Sequence, residues 1–157
     1  MNLSDFVVCD SIIPDLKATD RNGVIYELVN ALADHGTLSH DSVETIAKIA
    51  IKRENEGSTG FGKGVAVPHV KYGEIKHMAA TIGRSSTGID FSALDRAPVY
   101  TIVLLVSPKD DPDAHLAAME QIFRHLQREN FRRFLRQADT KEALIELIKE
   151  ADEFASG

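Results

Sequence analysis

The segment Gly57 to Lys71, GSTGFGKGVAVPHVK, joins a glycine-rich turn to a short apolar run and sets an imidazole directly after proline. Glycines at 57, 60, 62 and 64 admit positive φ and let a ligand approach the main chain. Successive N–H groups in such turns can form a concave anion site. The imidazole of His69 is a nucleophile of the kind that carries a phosphoryl group covalently. In water an imidazole titrates near ~6.5, so it is largely neutral and nucleophilic at neutral pH. Phosphoryl transfer then asks for an exposed ring nitrogen, in-line approach, and donors around the moving charge. The residue types leave a plainer reading open, in which the turn leads into a core strand and His69 is merely hydrogen-bonded. A Walker A loop is a third reading, and it fails. Gly57-x-x-x-x-Gly62-Lys63 has the spacing, but Gly64 follows where a magnesium-binding hydroxyl is required. The segment also runs from helix to strand, the inverse of that motif's context.

Arg53-Glu54, followed by Ser58-Thr59-Gly60-Phe61-Gly62-Lys63-Gly64-Val65-Ala66-Val67-Pro68-His69, resembles the signature of the phosphotransferase-system enzyme IIA family. The branch is the mannitol/fructose type, which includes the nitrogen-regulatory enzyme IIA proteins. The similarity continues through Gly88-Ile89-Asp90-Phe91, the run Val99 to Val106, and His115-Leu116, and so covers most of the chain. Phe61 stands where an aliphatic residue is usual, and Val70 where Gly or Ala is usual.

The resemblance implies an α/β fold, a mixed β-sheet flanked by helices. It implies a phosphohistidine carrier in which His69 accepts phosphate on Nε2 from the histidine-phosphorylated carrier HPr. His115 would be a supporting donor, with Arg53 and Thr59 completing the site and the loop amides of Gly60 and Gly62 binding phosphate. Phe61, Val70 and Tyr72 would form an apolar rim for the docking carrier. No dissociable cofactor is implied. The onward step divides a nitrogen-regulatory role from a sugar-specific relay that passes phosphate to a IIB component. A binding module that kept the fold without the chemistry is a further alternative. A domain with no attached IIB or membrane IIC segment leans towards the regulatory type.

Taken without the resemblance, Arg53 is an exposed arginine near a helix C-terminus, where a cation is favourable. It could equally donate its planar fork to a phosphate or hold the loop by its carbonyls. His115, in the first turn of a helix begun by Pro112, reads as a surface or capping histidine. His35, His40, His77 and His125 show no metal-ligand spacing with one another or with Cys9, so no metal is expected. Arg124, Arg128, Arg132, Arg133 and Arg136 form a basic cluster. No helix-turn-helix or aromatic stacking pattern accompanies it, so a solvated or protein-docking face is expected, not nucleic-acid binding.

At 157 residues the chain is expected to be one domain, 1–157, large enough for a real core. Apolar residues make up 43%, with no run long enough to insert in a membrane. The start, MNLSDFVVCD, lacks the basic and apolar regions of a secretory signal, and Cys9 is the only cysteine. A cytoplasmic location is the expectation, and the net charge of −6 disfavours broad nucleic-acid binding.

The elements that must position these groups follow from periodicity and caps. Ile12 to Lys17 reads as a short strand, and 20–34 as a helix with Val24, Leu28 and Leu32 on one face. A second helix, about His40 to Glu56, is capped by Ser39 and closed by Gly57. Strands follow at about 65–70, 78–84 and 99–107, the last nearly continuous in Val, Ile and Leu, as a buried central strand would be. Helices at Pro112 to Arg128, 131–138 and 140–153 complete the order, with Asp139 and Glu142 at capping-box spacing. Phe154 to Gly157 is expected to fray. Asp110, Asp111 and Asp113 precede His115 and would repel a phosphoryl group if they pointed inward, but capping the helix and facing solvent is the expected arrangement. Replacing Asp111 or Asp113 by Asn should therefore leave phosphorylation of the chain almost unchanged. A many-fold gain in transfer rate would place those carboxylates in the site.

Overall fold

A single strand that is apolar on both faces organises the chain. In the computed structural model, which describes residues 1–156, β5 (Val99–Pro108) is buried from Val99 to Ser107 apart from the half-buried Tyr100. Its side chains alternate with the period of two that a strand imposes. Ile102, Leu104 and Val106 enter one core, Val103 and Leu105 the other. The first core is closed by α1 (Arg21–Asp34) and α2 (Val43–Glu56), the second by α3 (Pro112–Leu126), α4 (Glu129–Gln137) and α5 (Lys141–Ser156). Helices therefore cover both faces of one sheet, the α/β arrangement expected from the order of elements. Among the described residues no helix is long and apolar enough to cross a membrane.

Along one edge β5 pairs antiparallel with β4 (Ala79–Ile89). Along its other edge run β2 (Val65–Ala66) and β3 (His69–Tyr72), both parallel to it and placed end to end. The strand expected at 65–70 is thus two short strands, broken at Val67-Pro68. Proline has no N–H to offer a ladder, and this one sits at the break. A hairpin whose turn holds Lys63 and Gly64 adds β1 (Gly60–Gly62) antiparallel to β2, so part of the glycine-rich loop is itself strand. Lys63 and Gly64 both have positive φ, at 62° and 79°.

The expected strand at Ile12 to Lys17 is corrected to a looser edge. The N-terminal segment follows β4 through two isolated parallel bridges, Val7 to Ala80 and Ile13 to Gly83, with a 3-10 turn at Cys9–Ser11 between them. Helix starts also differ in detail. Ser39 caps a 3-10 turn at His40–Ser42 that leads into α2, and the Thr140 hydroxyl, not Asp139, accepts an amide at the start of α5. The expected frayed end begins too early, because Phe154 lies in α5 with its ring 4.1 Å from the Arg128 guanidinium. Gly157 lies outside the described residues.

Because β5 serves two cores, Leu104→Ala and Leu105→Ala should each cost about 2–5 kcal/mol although they face opposite layers, the usual range for a fully buried leucine. Urea denaturation measures this, and a loss below about 1 kcal/mol at either position would contradict the double burial.

Candidate functional site

The candidate site begins at the break around Pro68. Val67 belongs to no strand, and its carbonyl accepts no backbone amide among the described residues. It accepts instead from His69 Nδ1, at 2.9 Å. A carbonyl can only accept, so Nδ1 carries the proton, and in the neutral ring the lone pair lies on Nε2. His69 opens β3 half-buried, on the wall of a cleft of about 660 Å³ that Lys71, His115, Met119, Phe123 and Arg124 also line.

His115 is brought to the same cleft by α3. Asp111 caps that helix by accepting the Ala114 amide at 3.2 Å, as expected of it, and Asp110 and Asp113 are exposed. The His115 ring lies with its centroid 5.6 Å from that of His69, tilted by 55°. It is 7% exposed, so it is no surface histidine. Burial pushes its pKa down from 6.5 to about 4, helped by the charges of His69 and Lys71. The ring is therefore neutral at neutral pH. Its Nδ1 lies 2.7 Å from the hydroxyl of Ser107, a fully buried residue near the end of β5. Ser107 escaped the sequence reading. The available signal was a hydroxyl closing the apolar run Ile102 to Val106, eight residues before His115.

The other expected residues divide. Arg53 does not line the cleft, and its guanidinium donates to the Gly57 carbonyl at 2.6 Å, the loop-holding alternative. The Thr59 amide donates to Glu54 Oε2 at 2.9 Å, and its hydroxyl donates to the other oxygen of that carboxylate. Thr59 is thus committed to tying the loop to the end of α2 through a buried acid, Glu54, in place of the expected phosphate contact. The Gly60 amide is taken by the Ser58 hydroxyl, and a Cβ there would lie 2.9 Å from that of Ala93. Gly62 has a φ of 103°, so it is the shape of the hairpin that calls for glycine. Neither glycine lines the cleft.

The expected docking rim is corrected by strand geometry. Successive strand residues face opposite ways, so His69 and Lys71 share one face and Val70 and Tyr72 the other. Val70 is 2% exposed and belongs to the core beneath α1 and α2, with Tyr72 packed against it. Phe61 stays near the cleft, its ring 5.1 Å from that of the lining Phe123. The apolar rim consists of Leu116, 60% exposed, with Met119 and Phe123, three residues that the sequence reading did not assign to a docking rim. Lys71 and Arg124 are the cations on the wall, and both were missed as site residues.

Residues 5–151 match the family described as phosphoenolpyruvate-dependent sugar phosphotransferase system, EIIA 2. A nitrogen regulatory protein of Pseudomonas aeruginosa is 34% identical over 128 residues, which cover 82% of each chain. The fructose-specific EIIABC component of Bacillus subtilis is 28% identical over 152 residues, 97% of this chain but 24% of that protein, so the chain spans about a quarter of that relative. The crystal structure of nitrogen regulatory protein IIA-Ntr from Neisseria meningitidis superposes with a TM-score of 0.82 at 24% identity, covering 93% of this chain and 98% of that one. With the fold, the paired histidines and a match over almost its whole length in agreement, the chain belongs to the EIIA 2 family of the phosphoenolpyruvate-dependent sugar phosphotransferase system.

Proposed function

We propose that the chain is a cytoplasmic phosphoryl relay that takes a phosphoryl group on His69 Nε2 from the phosphohistidine of an HPr-type carrier. The observation that carries this reading is the Val67 carbonyl on Nδ1, which leaves the nucleophilic lone pair on the other nitrogen. In the transfer, the lone pair of Nε2 bonds to phosphorus while the bond to the donor's ring nitrogen breaks. That bond's electron pair leaves with the donor ring.

The neighbours then stabilise the moving charge. When the Ser107 hydroxyl donates to His115 Nδ1, the single proton of that neutral ring sits on Nε2, free to donate to a phosphoryl oxygen. Ser107 is here a positioning residue, acting through His115. Lys71 and Arg124 add positive charge, and the apolar rim of Leu116, Met119 and Phe123 suits a protein partner. The relationship to the Pseudomonas protein supports the nitrogen-regulatory role over a sugar-specific one.

In a reconstituted assay with phosphoenolpyruvate, enzyme I and HPr, the wild type should acquire acid-labile label and His69→Ala none. His115→Ala and Ser107→Ala should slow labelling, the latter by roughly tenfold if one hydrogen bond of ~1.4 kcal/mol is lost from the transition state. Normal labelling of His69→Ala, or an unlabelled wild type, would remove the assignment.

The depressed pKa of His115 also has a sign. Between 6.5 and about 4 the unfolded ring binds a proton that the folded ring refuses. The unfolded state then holds more protons, so stability falls as pH drops through this window. Denaturant titrations from pH 7 to 4 should show part of that fall disappearing in His115→Asn, and an unchanged slope would show the ring to be ordinarily solvated.

A further inference from the structure

The basic cluster on α3 and α4 does not act as one surface. Arg124 faces the His69 cleft, Arg128 lies over Phe131 and Phe154, and Arg133 lies over Phe134. Arg132 and Arg136, four residues apart on α4, share a face and turn to a second cleft of about 420 Å³. Lys63, from the β1–β2 turn, lines the same cleft. It has no lining residue in common with the His69 cleft, and the strand residues it uses, Val65 and Thr101, lie at the far end of the parallel pairing from Lys71.

Its two arginines are held in place, and among the described residues none of its cations is neutralised. Arg136 stacks on Tyr100 at 3.6 Å from the ring centroid. That ring is itself seated over two glycines: a Cβ at Gly88 would lie 3.2 Å from it, and one at Gly64 would lie 3.4 Å away. Stacking uses the face of a guanidinium and leaves its N–H edge to donate. Arg132 spends one nitrogen on the Leu126 carbonyl at 2.8 Å, which fixes the remainder of its fork. The one carboxylate on the wall, Asp95, accepts the Lys63 and Ala97 amides, each at 3.0 Å. Those amides hold it below the usual carboxylate range, with the Ala97 bond the larger cause, so it is ionised and occupied in shaping the turn. Among the described residues none of the three cations forms an ion pair. Three cations against one carboxylate leave an excess of two positive charges, on a chain whose formal net charge is −6.

We propose that this cleft is a second binding site, for a small organic polyanion bearing phosphate or carboxylate groups. The guanidinium edges suit either oxyanion in bidentate fashion. Ala97, Pro98 and Tyr100 give a wall for a carbon skeleton, and the volume falls within the range of small-molecule sites. Occupation is independent of the relay chemistry at His69.

An amide-detected NMR titration of the full chain in 150 mM salt tests this, with glucose 6-phosphate, citrate and inorganic phosphate as probes and glucose as the uncharged control. The expected result is saturable shifts at Lys63, Gly64, Arg132 and Arg136 with a Kd below about 1 mM for at least one organic anion, and none with glucose. Arg136→Gln and Lys63→Gln should each weaken binding by roughly tenfold, while His69→Ala leaves it unchanged. Lys63 is an exposed turn residue, so Lys63→Gln decides the matter should Arg136→Gln fold poorly. Preference for glucose 6-phosphate over citrate assigns a phosphate ester, and the reverse assigns a polycarboxylate. Shifts that grow linearly without saturating, that fall around Lys71 and Arg124, or that survive Lys63→Gln would overturn the site. So would shifts produced by a glutamate-rich peptide but by none of the small anions.

Discussion

The hydrogen bond from His69 Nδ1 to the Val67 carbonyl is the contact on which the proposed chemistry depends, and it lies at the break between two strands. Main-chain carbonyls alternate sides along a strand, so where the Pro68 carbonyl meets β5 that of Val67 turns away from it. Pro68 sits at the point where β2 ends and β3 has not begun, while its own carbonyl still takes the Leu105 amide at 3.0 Å. The chain therefore keeps its register beside β5, and the Val67 carbonyl, turned away from that strand, is left for the imidazole. That acceptor fixes both the tautomer and the rotation of the ring, so no separate side chain is needed to orient it.

The second consequence of the topology is the meeting of His69 with His115. β3 and β5 are parallel and their carboxyl ends lie together, Tyr72 beside Pro108 with His69 beside Leu105 three residues back, near the place where open α/β sheets carry their ligands. The connection from β5 to α3 is only Lys109 to Asp111, so α3 starts at that same end. His115, four residues into the helix, is thereby laid over Ser107, in the last turn of the strand's path. Burial makes its imidazole neutral, and a neutral donor has two merits beside a nucleophile. In the proposed transfer it would not compete by drawing the lone pair into an ionic contact, and it would donate without having to lose a charge when phosphate leaves. Lys71 and Arg124, near the solvent, carry the charge instead. In the proposed relay a phosphoryl group on His69 would bring about two negative charges, and the surface around Leu116 and Met119 would then differ in charge between the two states.

Much of this was legible in the residues. β5 announced itself by an apolar run, α1 by the stripe of Val24, Leu28 and Leu32, and α3 by Pro112 after the aspartates, each a local signal with a local cause. The histidine pair came from family resemblance, since neither His69 nor His115 differs in type from a satisfied core histidine. Side-chain direction was where the reading went astray. Once His69 is placed on a strand facing the cleft, period two sends Val70 to the other core, so nearness in sequence was a poor guide to the docking rim. Leu116, Met119 and Phe123 came from a helix more than forty residues away, and no pattern in the 57–72 segment points to them.

The glycine-rich loop shows a different limit. Its amides looked like a phosphate cradle because glycine permits such a nest, yet permission is not use. Thr59 is held by Glu54, Gly60 by Ser58, and Lys63 by Asp95, so two of the expected donors and a neighbouring loop amide are already bonded within the protein. The cost of leaving buried amides unpaired makes internal partners the default wherever an acidic or hydroxyl side chain is near. Glu54, Ser58 and Asp95 supply those partners from α2, from the loop itself, and from the turn before β5. A loop tied down at three points is a rigid support for the hairpin and for the break that follows it. Its contribution to His69 is therefore to hold the Val67 carbonyl still, which in the proposed transfer leaves charge stabilisation to the side chains of β3 and α3.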